Sequence, residues 1–138
     1  MSYFLAKTDP ETYSVDQLEA DGRTTWDGVT NAQAVRNIRQ MRPGDTVFVY
    51  HSMGQPAVVG LAKVVSEPRD DPKNPKSAVA DFEFVRRLDP PTTLAEIKAS
   101  GLFNDWVLIR QSRLSTLAAP DEFVEWMRQR YAAAGRIF

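Results

Sequence analysis

The sequence predicts an α+β domain in which flanking helices surround a small mixed β-barrel. Three observations lead there. The middle of the chain carries β-branched and aromatic runs at residues 46–52, 57–65 and 78–88, the composition of packed strands. Helical patterns opened by capping sequences lie on both sides of that block. The strands are short, uneven and free of a βαβ rhythm, which argues against a doubly wound sheet. With 138 residues, 43% hydrophobic and 25% charged, the chain is long enough to bury one core. It is read as a single domain over residues 1–138, with no linker and no internal repeat.

The elements follow in order. Residues 3–7 read as an opening strand. Ser14 and Gln17 stand at capping-box spacing, and Gly22 stops a helix of about two turns. Trp26-Asp27-Gly28 signals a turn. Residues 31–41 are helical in pattern, with Ala34, Ile38 and Met41 on one face, and Pro43-Gly44-Asp45 ends the helix. Met53-Gly54-Gln55-Pro56 joins the strands at 46–52 and 57–65 as a hairpin. Gly60 inside the second strand predicts a bulge or a close backbone approach. The proline-rich, charged stretch 67–77 reads as loop, and Pro90-Pro91 as the end of the long strand. Thr93 and Glu96 repeat the capping box ahead of Gly101. Residues 106–110 and 113–117 read as short closing strands. Pro120 opens an amphipathic helix to about residue 133, with Phe123, Trp126 and Arg130 on one stripe; Trp106 and Trp126 are packing residues.

Composition narrows the chemistry. The absence of cysteine excludes disulfide scaffolds, thiolate zinc sites and cysteine nucleophiles, and suits a reducing compartment. The apolar start is too short for a signal segment, and no window approaches a membrane span of about 18 apolar residues. A cytoplasmic protein with no membrane association is the expectation. His51 is the only histidine, and its neighbour Ser52 points to the opposite face of the same strand, so a Ser–His–Asp triad does not assemble there. There is no G-x-S-x-G elbow, no P-loop and no dinucleotide fingerprint. No catalytic residue, metal site or cofactor is expected.

Net charge is −1, yet the charges are segregated. Asp9, Glu11, Asp16, Glu19 and Asp21 share a stretch without bases, whereas Arg36, Arg39 and Arg42, and then Arg110 and Arg113, lie in stretches without acids. A near-neutral domain with one basic face suits a binder that touches a few phosphates.

Lys7-Thr8-Asp9-Pro10, Trp26-Asp27-Gly28-Val29-x-Asn31, Gly44-Asp45, Tyr50-His51-Ser52 and Arg113-Leu114-Ser115 follow one another at separations that resemble the EVE domain, a PUA-like family. The likeness covers residues 3–117 and extends, more distantly, to the YTH readers of methylated adenine. It implies a PUA-like mixed β-barrel that binds a modified nucleobase in DNA or RNA in an aromatic pocket, without catalysis; a monomer is the expectation. A flipped base offers two π-faces and a hydrogen-bonding edge to such a pocket.

In that reading Trp26 is the aromatic wall, Asp27 and Asn31 meet the base edge, and Tyr50 and Ser52 share the pocket face of their strand with His51 turned away. Lys7, Arg113 and, more weakly, Arg110 clamp phosphates. The chain departs from the family pattern at Thr30, Ala32 and Ser77-Ala78, where members often carry arginine, an aromatic and a further aromatic, so a second wall has no residue there. Two other readings stay open at this stage: a small-molecule or nucleotide-binding module, and a nucleotide-processing enzyme using Asp27 or Asp45 as a base.

Overall fold

The computed structural model describes residues 1–134. Seven strands form one curled mixed sheet in the order β2-β6-β4-β3-β1-β7, with β5 paired to β6. The strands are β1 (Tyr3–Thr8), β2 (Arg23–Trp26), β3 (Thr46–His51), β4 (Ala57–Val64), β5 (Arg69–Asp71), β6 (Asn74–Thr93) and β7 (Thr116–Ala118). β1 and β3 run parallel, from Tyr3↔Thr46 to Thr8↔His51, and the remaining pairings are antiparallel. The chain forms the expected α+β class, and the expected mixed β-barrel takes the form of a curled half-barrel whose end strands β2 and β7 do not pair.

Local chemistry accounts for the starts of the first three helices and the end of the first. α1 (Val15–Asp21) starts with the reciprocal Ser14–Gln17 capping box and stops at Gly22, whose φ is 74°, a conformation that only glycine adopts cheaply. Asn31 opens α2 (Ala32–Arg39) by accepting from the amides of Gln33 and Ala34. Thr93 and Glu96 cap α3 (Leu94–Ala99). α2 packs against both β6 and β7, and Asn37 Nδ2 donates to the Thr116 carbonyl at 2.7 Å. A helix therefore bridges the gap that strand pairing leaves open between the two sides of the sheet. Ala34, Ile38 and Met41 are all fully buried along this contact.

The outer face of β1 and β3 is covered by the C-terminal segment. Phe48 meets Phe123 of α5 (Asp121–Arg130) edge-on at 5.3 Å. Phe123 in turn touches Phe103, Trp106 and Trp126 at centroid distances of 4.6–5.9 Å. Arg130 lies over the Trp126 ring and donates to Thr92 Oγ1 at 2.8 Å. Trp106 and Trp126 are thus packing residues, as expected.

Several local expectations change. Residues 106–110 form no strand: Trp106 caps the one-turn helix α4 (Val107–Arg110) and its Nε1 donates to the Ala118 carbonyl at 3.0 Å. The indole is drawn into the aromatic cluster, and the strand expected at 113–117 is only Thr116–Ala118, paired with β1 on the side away from β3. The stretch 67–77 is not loop throughout but folds back as the β5–β6 hairpin. Pro90-Pro91 does not end the long strand. Ladder pairing with β4 lapses between Gly60↔Arg87 and Val58↔Thr92, and both prolines are exposed there, where no amide donor is missed. α5 stops at Arg130 because Tyr131 is tied to Thr92 and to the Pro90 carbonyl through its hydroxyl.

Gly60 lies where the β3–β4 and β4–β6 registers both shift. A Cβ at this position would stand 2.9 Å from Val15 Cγ2 and 3.1 Å from the Arg86 carbonyl oxygen. Neither neighbour yields easily, since Val15 is β-branched and Arg86 O is backbone. Gly60→Ala is expected to lower stability by about 1–3 kcal/mol, read as a lower urea midpoint at constant m-value.

His51 couples α1 to the sheet. Its Nε2 accepts from the Val15 amide at 3.0 Å, so the neutral ring is the form that binds. Burial lowers its pKa from the ordinary value, Asp16 opposes that shift and Arg87 adds to it. The unfolded chain therefore takes up the proton at a higher pH than the folded one. Stability is complete above about pH 6.5 and is lost as pH falls from there through the folded pKa. The urea midpoint is expected to fall between about pH 7.5 and 5, and to fall less in His51→Gln. Asp81 and Glu96, whose pKa values are depressed, act below this window, so equal slopes in the two chains would rule out His51 as the source.

Candidate functional site

The carboxyl end of β1 and the carboxyl end of β2 approach each other at one rim of the sheet. Between them lies a cleft of about 300 Å³ lined by Thr8, Thr12, Tyr13, Thr24, Thr25, Trp26 and Asp27. Trp26 is 7% exposed. It stacks on Phe82 at 5.1 Å with the planes 26° apart, and Tyr13 meets it at 84° and 6.2 Å. Phe82 and Trp26 lie on one face of the β2–β6 ladder, through the register Thr24↔Phe82 and Trp26↔Ala80. The aromatic base of the cleft is therefore continuous with the core.

Polar groups surround it. Thr8 Oγ1 donates to the Tyr13 carbonyl at 2.8 Å and Thr25 Oγ1 to Asp81 Oδ1 at 2.7 Å. The Tyr13 hydroxyl donates to Asp21 Oδ2 at 2.7 Å. Burial raises the Tyr13 pKa and Asp21 reinforces it, against a hydrogen bond with Thr24. Asp27 is exposed at the end of β2. The arrangement offers an aromatic base, hydroxyls and one open carboxylate within reach of a small planar ligand.

Of the residues singled out from the sequence, the structure brings Trp26 and Asp27 to this cleft. Asn31 is occupied as the α2 cap, its Oδ1 accepting at 2.9 and 3.1 Å. Ser52 sits behind Thr8, its amide and hydroxyl both donating to the Thr8 carbonyl at 3.0 and 3.3 Å. Tyr50 lies on the other face. Thr8 lines the cleft and is registered with His51, whereas Tyr50 is registered with Lys7, and successive side chains alternate. The expected facing of Tyr50 and His51 is thus reversed, because a strand's alternation says which residues share a face but not which face meets the cleft.

Lys7 stands 5.7 Å over the Tyr50 ring and donates to the Ser112 carbonyl at 2.9 Å, and burial lowers its pKa. It ties the 111–115 loop to β1, as does the Lys7 amide by donating to Ser115 O at 2.8 Å. Arg110 directly precedes that loop and Arg113 lies within it, both exposed and without an ion pair among the described residues. Sequence reasoning missed Tyr13 and the threonines. Thr24 was visible as the alternate partner of Trp26 in Arg23-Thr-Thr-Trp, and Tyr13 as an aromatic directly before the Ser14 cap. Ser77, where a second aromatic wall was absent by sequence, is buried and its hydroxyl donates to the Val29 carbonyl.

Comparison with known proteins places this geometry in a family. A model of the EVE domain matches residues 2–130. Human thymocyte nuclear protein 1 is 33% identical over 83% of the chain, which spans 67% of that protein; the rat protein is 35% identical over 70% of the chain, which spans 55% of it. Among solved structures, a hypothetical protein from Leishmania major superposes with a TM-score of 0.89 at 29% identity, covering 99% of this chain and 98% of the other. The human THYN1 protein in complex with 5-methylcytosine containing DNA gives 0.85 at 28% identity, covering 94% of this chain and 97% of that one. The fold is the PUA-like α+β domain of these relatives. The chain belongs to the EVE domain family.

Proposed function

We propose that this protein is a non-catalytic reader that holds one modified base of a nucleic acid in the cleft between β1 and β2. The observation that carries the reading is the cleft itself: Trp26 and Tyr13 at its base, threonine hydroxyls and the open Asp27 carboxylate around it. A volume of about 300 Å³ is at the small end of ligand sites and suits a single base. The family neighbour in complex with 5-methylcytosine containing DNA gives the reading its chemistry. An extruded base brings a π-face to the aromatics, an exocyclic amino group that Asp27 accepts from, and a methyl group that prefers apolar contact. The exposed Arg110 and Arg113 meet phosphates of the strand, and Lys7 holds the loop that carries Arg113.

The reading separates by mutation into base and backbone contributions. Tyr13→Ala is expected to weaken a 5-methylcytosine oligonucleotide by about 1–3 kcal/mol and to reduce its preference over the unmodified strand, while Tyr13→Phe binds as the native chain does. Trp26→Ala removes a ring stacked on Phe82 and is expected to cost about 3–5 kcal/mol of stability, so Trp26→Phe is the informative variant: folded, with reduced discrimination. Titration of paired modified and unmodified oligonucleotides, with thermal melts, checks both. Full discrimination in folded Tyr13→Ala and Trp26→Phe would overturn the aromatic cleft as the base site.

Arg113→Ala is expected to leave a different signature. A phosphate contact carries no base information, so both strands should weaken alike, and the slope of log affinity against log salt should shrink by about 0.7 for single strands. Titration across salt concentrations measures it; an unchanged slope would remove Arg113 from the backbone contacts.

A further inference from the structure

We infer that the nucleotide adjoining the held base lies in a second cleft on the far side of β2, with its phosphate on Lys73. The inference rests on the base-binding reading above. The second cleft measures about 250 Å³ and shares Thr25 and Asp27 with the first, so the end of β2 forms one wall between two adjoining depressions. Pro72 and the buried Val79 give it an apolar lining, and Arg69 and Lys73 supply its cations.

The hairpin carrying these residues is built rather than draped. The Lys73 amide donates to Asp71 Oδ1 at 2.9 Å and the Lys76 amide to Asn74 Oδ1 at 3.1 Å. Arg39 of α2 pairs with Asp70 at 2.9 Å. The two cations are not equivalent. Arg69 is committed to Asp81 at 3.0 Å and to Ser66, so its charge is answered within the protein and its plane is left to stack on a sugar or base. Lys73 is exposed and has no ion-pair partner among the described residues. Of the two carboxylates on the cleft, Asp71 keeps its charge but accepts from the Lys73 amide, which offsets part of it, while Asp27 stands on the shared wall and repels a phosphate there. The wall is thus the place for a base and sugar to cross, and the hairpin tip the place for the anion. A strand leaving the first cleft across Thr25–Asp27 meets these groups in that order.

The test compares the native chain, Lys73→Ala and Lys63→Ala, the last an exposed lysine on β4 outside both clefts. Each is titrated with 5-methyl-2′-deoxycytidine and with a trinucleotide carrying 5-methylcytosine at its centre, at about 50 and 200 mM salt. Lys73→Ala should bind the nucleoside as the native chain does. It should bind the trinucleotide about fivefold more weakly at the lower salt, with a slope smaller by about 0.7. Lys63→Ala should match the native chain throughout. Native-like affinity and slope in Lys73→Ala, or an equal loss in Lys63→Ala, would overturn the second cleft while leaving the base site standing. A native chain that binds neither probe would overturn the base-holding reading and this inference with it.

Discussion

The parallel pairing of β1 with β3 is the constraint on which the rest of the molecule depends. Two parallel neighbours cannot be joined by a tight turn and need a crossover. Here the crossover runs from Asp9 to Asp45 and contains α1, β2 and α2. Every residue of the first cleft other than Thr8 belongs to it. Because β2 pairs with β6 on the far side of the sheet, the crossover must return across the open rim, and this return brings Trp26 opposite the end of β1. The cleft is the space left where a connection closes a curled sheet without completing its ladder.

That origin explains why the aromatic base of the site is also core. Trp26 is sandwiched into the cluster that includes Phe82, Leu18 and Val29, so its position is fixed by packing before any ligand arrives. A rigid aromatic surface loses little conformational freedom on binding. Tyr13, by contrast, is held by local chemistry: it directly precedes the cap of α1, and its hydroxyl is anchored on Asp21 one helix length away. One side of the cleft is set by the sheet and the other by the first helix.

Features governed by neighbouring residues were legible in the sequence. Ser14 with Gln17 and Thr93 with Glu96 cap the helices they announce, and Gly60 marks the close approach it suggested. What failed depended on distant partners. Residues 106–110 are too few to show a period, and their helix follows from where Trp106 finds a hydrogen bond on Ala118. The prolines at 90 and 91 look like breakers only if every strand residue must pair, and here they occupy an unpaired stretch. At the site, Trp26 and Asp27 stood out by type and position. The facing of Tyr50 and His51 was hidden because it depends on register with β1. Tyr13 was hidden because its neighbour across the cleft is 13 residues away and on another element.

The single imidazole has a consequence for how the molecule can be watched. His51 sits at the seam where β3 meets the start of α1, registered directly with the cleft residue Thr8. No other histidine contributes ring signals, so its proton resonances need no assignment by mutagenesis. The ring holds the first amide of α1, the helix that directly follows Tyr13 and its Ser14 cap. The imidazole is therefore a native spectroscopic reporter on the seam between β3 and α1, next to the cleft but not among the residues that line it.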